Sequence, residues 1–433
     1  MAAPVPYGSA VPGPDFLQGV TVLDFTRVLA GPYCTRLLAD LGARVIKVEH
    51  PRGDDTRVAP FQIDPRRSDQ STYFVRLNAG KRSVALDLRR AAARAVALDL
   101  IRAADVVIEN FRPGVMARMG LDYAAASAVR PDIVYCSISG YGQTGPWRDR
   151  AAFAHVVHAT SGLMHLERGP DDPPRVLYLQ VADVVAGTHA FGAIVAALLG
   201  RARTGRGAYI DVSLLEALIA AEDLSFGSVL NDGPSYPGSR GGMLVQRIGD
   251  DWVALQVVGV LDLWPRLLEL IQRPELAEDP RFATPAARRQ HWPELRPIIA
   301  AWLARFTSAK DALTALGAAR IPCARVLWPA EVVASPHLAV RQAFPSVAHP
   351  AHGAVRVTAS PYHVDGAPIP PRGPAPYRPG EDTRAVLSEV LGYASDRIAA
   401  LADDGAVVGP GLASKSGASK TGGRPLADAP RDE

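Results

Sequence analysis

An aspartate between a short apolar run and a long apolar segment is the strongest candidate for chemistry in this sequence. We predict a strand over residues 177–181, with Asp183 directly after it, and a buried helix over 184–199. The basic turn 201–207 ends that helix, and a further strand is predicted over 208–212. Asp183 is therefore expected beside unpaired N–H groups and the positive end of a helix dipole, which keep a carboxylate ionised. Such a carboxylate can act as a nucleophile, although a simple helix N-cap is the ordinary role of aspartate there.

Three glycines after a predicted strand, Gly140, Gly142 and Gly145, have the G-x-G-x-x-G spacing of dinucleotide-binding turns. Pro146 and Trp147 follow instead of an amphipathic helix. No carboxylate ends a second strand at the required distance of about 20 residues. We interpret the motif as a tight turn that needs glycine conformations, with a ligand close to its backbone left open. No nicotinamide cofactor is expected.

Basic residues gather near the ends of the predicted strands. One charge normally only solvates a surface, but a cluster at the ligand edge of a parallel sheet suits an anion with several phosphates. The cluster consists of Arg27, Arg52, Arg57, Lys81, Arg82, Arg112 and Arg118. The residues alone therefore predict a phosphorylated cofactor beside a carboxylate at a helix start.

Composition indicates a globular protein of 433 residues, with 48% hydrophobic and 21% charged residues. The chain is long enough for two domains, and its net charge of +3 gives no reason to expect a nucleic acid partner. The first twenty residues do not resemble a signal peptide, and we expect no membrane partner and a cytoplasmic location. Cys34, Cys136 and Cys323 match no zinc or disulfide spacing. We interpret them as reduced core thiols rather than nucleophiles, and expect no metal.

Predicted strands and helices alternate over the first 140 residues, which indicates an α/β fold with a parallel sheet covered on both faces. The strands are predicted over 20–25, 44–49, 72–77, 83–87, 106–110 and 133–137, and the helices over 33–41, 89–104 and 123–129. We expect a flexible arm over 1–17, a large domain over 18–231, a smaller α+β domain over 232–322 and a disordered tail over 403–433.

Several blocks of the sequence resemble the family III CoA-transferases, the group of formyl-CoA transferase and carnitine CoA-transferase. Two of these blocks are VTVLDFTRVLAGPYCTRLLADLGARVIKVEHPRGDDTR and ADVVAGTHAFGAIVAALLGRARTGRGAYIDVSLLEAL. The blocks cover residues 20–57, 73–88, 104–123, 137–146, 182–218 and 319–326. The resemblance extends over roughly residues 17–400.

The resemblance implies an interlocked homodimer whose Rossmann-like CoA domain is built from both ends of the chain, so residues 323–402 are expected to return to the large domain. It implies that Asp183 is the nucleophile, which forms an acyl-aspartyl anhydride and then an aspartyl-CoA thioester. It also places contacts to CoA, a substrate here, on Val28, Leu29, Ala30, His50, Leu86, Arg89, Asn110, Phe111, Arg112 and Arg118. Arg118 is the first candidate for a phosphate partner. N–H groups around Leu29 and Ala30 are candidates for holding the thioester oxygen.

The acyl pocket departs from the family pattern. Many members carry glutamine where this chain has Leu29, an acidic residue where it has Ala154, and often glutamine where it has His158. Oxalate is therefore not expected as the acid. We assign the pocket to Phe153, His155, His158, Gly241 and Gly242. Either histidine could bind an acceptor carboxylate or be a structural residue.

Two other functions are compatible with the resemblance. An α-methylacyl-CoA racemase moves an α-proton between two bases, but the family histidine falls at Phe153, with His155 two residues away. A catalytically silent CoA-binding protein is the second alternative, and an intact Asp183 argues against it.

Overall fold

The computed structural model describes residues 15–64, 66–166, 172–176, 178–222, 225–233, 241–257 and 263–412. The strands are β1 (Thr21–Asp24), β2 (Arg44–Glu49), β3 (Arg82–Leu86), β4 (Val106–Glu109), β5 (Val134–Ser139), β6 (Ala208–Ser213), β7 (Met243–Ile248), β8 (Asp251–Gln256), β9 (Cys323–Arg325), β10 (Ser346–His349), β11 (Gly353–Arg356), β12 (His363–Val364), β13 (Ala367–Pro368) and β14 (Val407–Val408). The helices are α1 (Ala30–Asp40), α2 (Thr72–Asn78), α3 (Ala91–Ala103), α4 (Val115–Met119), α5 (Tyr123–Val129), α6 (Ala154–Thr160), α7 (Leu163–Leu166), α8 (Val181–Thr204), α9 (Leu214–Ala221), α10 (Ser225–Val229), α11 (Leu263–Ile271), α12 (Pro285–Gln290), α13 (Trp292–Leu303), α14 (Ala309–Ala318), α15 (Pro329–Val333), α16 (Pro336–Val340), α17 (Thr383–Leu391) and α18 (Ser395–Asp403). Short 3₁₀ turns cover Asp55–Val58 and Pro274–Ala277.

The chain divides into two compact units. The first comprises Met1–Val157, Leu179–Ala221 and Arg341–Glu433, and the second comprises His158–Tyr178 and Glu222–Val340. The second unit therefore extends beyond the small domain expected over 232–322, and the chain returns to the first unit at Arg341 rather than at residue 323. The reason is that β9 pairs with β8, which keeps residues 323–325 in the second unit.

A seven-stranded sheet in the order β14-β3-β2-β1-β4-β5-β6 forms the first unit. Its strands pair in parallel except β14, which runs antiparallel to β3 at the edge. Alternate strand residues, such as Leu23, Ile46 and Val107, pack with α3, α5, α17 and α18 in one apolar core. Helices α1 and α8 also pack on this sheet. The α/β class and the mainly parallel sheet that the sequence predicted are confirmed.

The second unit is built on an antiparallel sheet in the order β7-β8-β9. One side of this sheet, with Val253 and Leu255 at its centre, packs against α11, α13 and α14. Leu267 and Leu303 of those helices are fully buried in the same core. The unit therefore has its own apolar core, as an independent domain requires.

Three predicted segments have a different structure. Residues 72–77 form α2 instead of a strand, because Ser71 caps the helix by accepting a 3.0 Å hydrogen bond from the N–H of Phe74. Residues 178–180 form no strand, and residue 177 lies outside the described part of the chain. Residues 403–412 are ordered, since they end α18 and supply β14.

The ends of the described chain are also held to the first unit. Leu17, placed in the expected arm, is buried and donates a 2.9 Å backbone hydrogen bond to Leu41. Residues 1–14 and 413–433, which hold most of the expected arm and tail, lie outside the described residues.

Helix α8 is long and apolar enough to cross a membrane by length and composition alone. It packs against α1, α9, β5 and β6 of the first unit. Core helices of soluble proteins meet the same criterion, so this finding is weak evidence for a membrane.

Candidate active site at the edge of the parallel sheet

The carboxyl ends of the parallel strands bring most of the predicted CoA contacts to one edge of the first unit. Strand β1 ends at Asp24 and leads to the turn that contains Val28, Leu29 and Ala30. Strands β2, β3 and β4 end at Glu49, Leu86 and Glu109, directly before or beside His50, Arg89 and the segment Asn110, Phe111 and Arg112. Since these strands are parallel, their ends lie along the same edge.

Asp183 lies in the first turn of α8, which begins at Val181. The helix N-cap is Gln180, so the ordinary cap role proposed for Asp183 is wrong. The Asp183 carboxyl accepts hydrogen bonds from the backbone N–H of Ala30 and from its own N–H. The turn after β1 therefore holds the carboxyl at the sheet edge.

Burial raises the pKa of Asp183 to about 6, although the two N–H donors and His155 act in the opposite direction. The position near a helix N-terminus thus does not keep this pKa low, contrary to the expectation from the dipole, because desolvation of the charged form outweighs it. Above pH 7 the carboxyl is still mainly ionised. It is more basic than an ordinary aspartate, which favours attack on a carbonyl carbon.

Gly187 allows the close approach of α8 to the start of α1. A Cβ atom at this position would lie 2.4 Å from the carbonyl oxygen of Ala30 and 3.3 Å from the ring of Tyr33. Because Gly187 is one helical turn after Asp183, the same close approach brings the Asp183 carboxyl to the Ala30 N–H.

The predicted basic cluster separates into two groups. Arg57 and Lys81 are fully buried and form ion pairs with Glu49 at 2.7 Å and Asp24 at 3.1 Å. Arg82 is partly exposed and pairs with Glu389 at 2.7 Å. These three side chains therefore belong to the framework and are not available to a phosphate, contrary to the sequence-based expectation.

Other arginines near the strand ends are exposed. Arg112 and Arg118 are exposed and form no ion pair with any carboxylate in the described ranges. Arg27 is also exposed, and its guanidinium lies 5.6 Å from the centre of the Phe111 ring. Arg89 is exposed too, but is paired with Asp87 at 2.8 Å.

Two other predicted contacts have limited access. Leu86 is almost fully buried, so only its backbone can meet a ligand. The Nδ1 atom of His50 accepts a 3.1 Å hydrogen bond from the N–H of Arg52. Burial, followed by the charge of Arg52, lowers the pKa of His50.

Of the predicted acyl-pocket residues, His155 is linked to Asp183 by an electrostatic interaction that lowers the carboxyl pKa. Phe153 precedes it, with 74% of its surface exposed. His158, Gly241 and Gly242 belong to the second unit. A Cβ at Gly241 would lie 2.8 Å from Trp292, so close packing explains this glycine. Residues 234–240 of the glycine loop lie outside the described residues.

Tyr73 was missed by the sequence analysis. Its hydroxyl donates a 3.3 Å hydrogen bond to Oε1 of Gln180, three residues before Asp183. Burial, followed by the Asp183 charge, raises the pKa of Tyr73 to about 12. The signal was the Ser71 cap. A helix that starts there places Tyr73 and Arg76 on one half-buried side, whereas a strand would place them on opposite faces.

Comparisons with known proteins point to one family. The family described as "CoA-transferase family III" matches residues 17–383. Succinyl-CoA–D-citramalate CoA-transferase of Chloroflexus aurantiacus is 32% identical over 90% of this chain and 97% of its own. Succinyl-CoA:glutarate CoA-transferase of Mus musculus is 34% identical over 90% of each chain. A CAIB/BAIF family protein from Brucella suis has a solved structure with a TM-score of 0.75 and 31% identity, covering 87% of this chain and 99% of its own. The chain therefore belongs to CoA-transferase family III.

Proposed function

We propose that the protein moves CoA from an acyl-CoA donor to a free carboxylic acid, with Asp183 as the nucleophile. The observation that carries the proposal is the Asp183 carboxyl, desolvated and held by the Ala30 N–H at the ligand edge of the sheet. The exposed Arg112 and Arg118 on the same unit support binding of the CoA phosphates. Membership of the family supports the reaction class.

In the proposed mechanism an oxygen of Asp183 attacks the carbonyl carbon of the donor thioester. The carbon–sulfur bond breaks, CoA leaves as thiolate, and a mixed anhydride forms. The thiolate then attacks the Asp183 carbonyl, giving an aspartyl-CoA thioester and releasing the donor acid as carboxylate. The acceptor carboxylate repeats both steps in reverse and leaves as acyl-CoA. The anhydride and the thioester have similar acyl-transfer potentials, so neither intermediate is stable enough to stop the reaction.

We propose succinyl-CoA as the first donor to test and small dicarboxylic acids as acceptors. The support is in the names of two relatives, which transfer CoA from succinyl-CoA to D-citramalate and to glutarate.

We further propose a homodimer in the cytoplasm. Only 28% of the most apolar stretch of α8 is buried within the single chain, and a second chain would cover more of it. Sedimentation analysis tests this, since a monomer would contradict it.

The decisive experiment incubates the protein with a panel of acyl-CoA donors without acceptor and traps acyl intermediates with hydroxylamine. Peptide mass spectrometry should find a hydroxamate on the peptide that contains Asp183, and the reactive donor identifies the substrate. Asp183→Asn should bind CoA, remain folded and give neither trapping nor transfer. Wild-type transfer by this variant would overturn the proposed nucleophile.

The racemase remains a second candidate because His155 interacts electrostatically with Asp183. A two-base mechanism would exchange the α-hydrogen of an acyl-CoA in deuterated water with no acid acceptor. Exchange without trapping would favour the racemase. Neither exchange nor trapping, with CoA bound, would favour the catalytically silent protein.

A further inference from the structure

The turn between β1 and α1 has a backbone conformation that Val28 would not adopt on its own. Its φ angle is +68°, in the left-handed region. A β-branched residue is a clear outlier there, because its Cβ crowds the following carbonyl group. Surrounding contacts must therefore hold the turn.

Asn110, directly after β4, forms two hydrogen bonds to the backbone of Arg27, the residue before Val28. Its Oδ1 accepts a 2.9 Å hydrogen bond from the N–H of Arg27, and its Nδ2 donates a 2.8 Å hydrogen bond to the Arg27 carbonyl oxygen. This reciprocal pair fixes the peptide groups on both sides of Arg27.

Asp54 holds Val28 itself. Its Oδ1 accepts a hydrogen bond of 3.4 Å from the N–H of Val28, and shorter ones from the N–H and the hydroxyl of Thr56, at 2.9 and 2.7 Å. Its Oδ2 lies 2.9 Å from Nζ of Lys47, and both side chains are almost completely buried. Nζ of Lys47 in turn donates a 2.8 Å hydrogen bond to the carbonyl oxygen of Thr26. Asp54 is thus a fixed anchor for the turn.

The orientation of the turn decides where the next N–H groups point. Ala30 begins α1 two residues after Val28, and its N–H donates to the Asp183 carboxyl. A change of Val28 to an ordinary negative φ would rotate the following peptide groups and remove this donor.

We propose that Asp54, together with Asn110, is a positioning residue: it holds Val28 in the left-handed conformation and so keeps the Ala30 N–H directed at Asp183. The proposal rests on the proposed function, because Asp183 is taken as the reacting group. Asp54 itself contacts neither Asp183 nor, in the proposal, any substrate. It acts through the backbone of the turn.

The test compares Asp54→Asn with the matched control Asp55→Asn. Asparagine can still cap the 3₁₀ turn through its amide oxygen. Its amide NH₂ group, however, cannot accept a hydrogen bond from Lys47, and the negative charge beside Lys47 is lost. Asp55 pairs with Arg27 at 3.4 Å through exposed side chains, so its substitution should leave transfer unchanged. For Asp54→Asn we expect kcat/KM to fall about 10- to 100-fold, the usual effect of a misplaced reacting group.

The pH profile separates positioning from simple electrostatics. Removing the negative charge of Asp54 would by itself lower the pKa of Asp183 or leave it unchanged. Loss of the Ala30 donor would instead raise the pKa of Asp183. The acid limb of the pH profile, where kcat/KM falls with decreasing pH, should therefore move to higher pH in Asp54→Asn and not in Asp55→Asn. Among the described residues, the titratable groups that interact with Asp183 are His155 and Tyr73, and both are unchanged in these variants.

Rescue by glycine provides a second test, and Asn110→Ser provides a third that does not depend on how well Asp54→Asn folds. Glycine adopts positive φ without strain. Asp54→Asn should therefore lower kcat/KM by a clearly smaller factor in a Val28→Gly background than in the native chain. Asn110→Ser, at a partly exposed position, should shift the acid limb in the same direction. The proposal would be overturned if the acid limb of Asp54→Asn stays in place or moves to lower pH. It would also be overturned if Asp54→Asn lowers kcat/KM by the same factor in both backgrounds. Full transfer by Asp183→Asn would instead overturn the proposed function.

Discussion

Replacing the proposed nucleophile should make the protein more stable at neutral pH. The Asp183 carboxyl has a pKa of about 6 in the folded chain, whereas 3.8 is its ordinary value. Between these two values the folded chain binds more protons at this site than the unfolded chain does. Stability therefore falls as the pH rises through this window. A neutral asparagine side chain would resemble the protonated carboxyl at every pH, so Asp183→Asn removes this loss.

The size of the effect follows from the pKa difference. A difference of about two pKa units corresponds to about 3 kcal/mol at pH 8, where both states have released the proton. At pH 5 only part of the loss has developed, and the same relation gives about half of that value. The advantage of Asp183→Asn should disappear near pH 3, below both pKa values.

Urea unfolding of wild-type protein and Asp183→Asn at pH 8 and pH 5 measures this difference directly. Asp250→Asn is a suitable control, because the Asp250 side chain is fully exposed and pairs with Arg247 at 3.6 Å. Its stability should match the wild-type value at both pH values. If Asp183→Asn is no more stable than wild type at pH 8, or gains equally at both pH values, burial does not raise the Asp183 pKa.

Three further predictions concern activity and packing. The kcat/KM of transfer should fall as the pH drops below about 6, since only ionised Asp183 attacks the thioester; a profile flat to pH 5 would contradict this. Gly187→Ala should destabilise the protein by about 1–3 kcal/mol and lower transfer, because its Cβ meets a backbone carbonyl at 2.4 Å. Gly192→Ala on the same helix meets nothing within 4 Å and should be neutral or slightly stabilising in thermal unfolding. Arg118→Ala should raise the KM for acyl-CoA with little change in kcat, as measured by steady-state kinetics, and an unchanged KM would remove Arg118 from the CoA site.

Sequence reasoning located the candidate site because strand ends can be read from apolar runs. The runs at 20–25, 44–49, 83–87 and 106–110 became β1 to β4, and the polar residues after them meet at one edge. Asp183 was selected as the candidate nucleophile because an apolar helix follows it. These features depend on local periodicity, which a single sequence displays.

Other features depend on contacts between distant residues. The run at 72–77 is apolar and aromatic enough for a strand, and the side-chain cap from Ser71 decides in favour of a helix. Arg57 and Lys81 look like phosphate ligands in the sequence, yet Glu49 and Asp24 neutralise them inside the fold. No local pattern reveals which partner a buried charge finds.

The cytoplasmic location and the absence of a metal stay predictions. The cytoplasmic location rests on the composition and the cysteines, of which Cys34 and Cys136 are buried free thiols. The expectation of no metal also stays a prediction, although the described residues contain no group of three or more His, Cys, Asp and Glu side chains that could hold one.

The raised pKa of Asp183 shows that its buried carboxylate lowers the stability of the folded chain, and this loss bears on the proposed reaction. Burial destabilises the carboxylate but not an anhydride or a thioester of the same side chain, since neither carries the charge. In the proposed mechanism each attack on an acyl group therefore relieves the desolvation that costs up to about 3 kcal/mol in the resting protein. The Ala30 N–H limits this cost by donating to the carboxylate, and the same group can donate to an oxygen that develops charge during attack. A pKa near 6 is thus a compromise: it leaves the nucleophile ionised at neutral pH and still favours its conversion into neutral acyl forms.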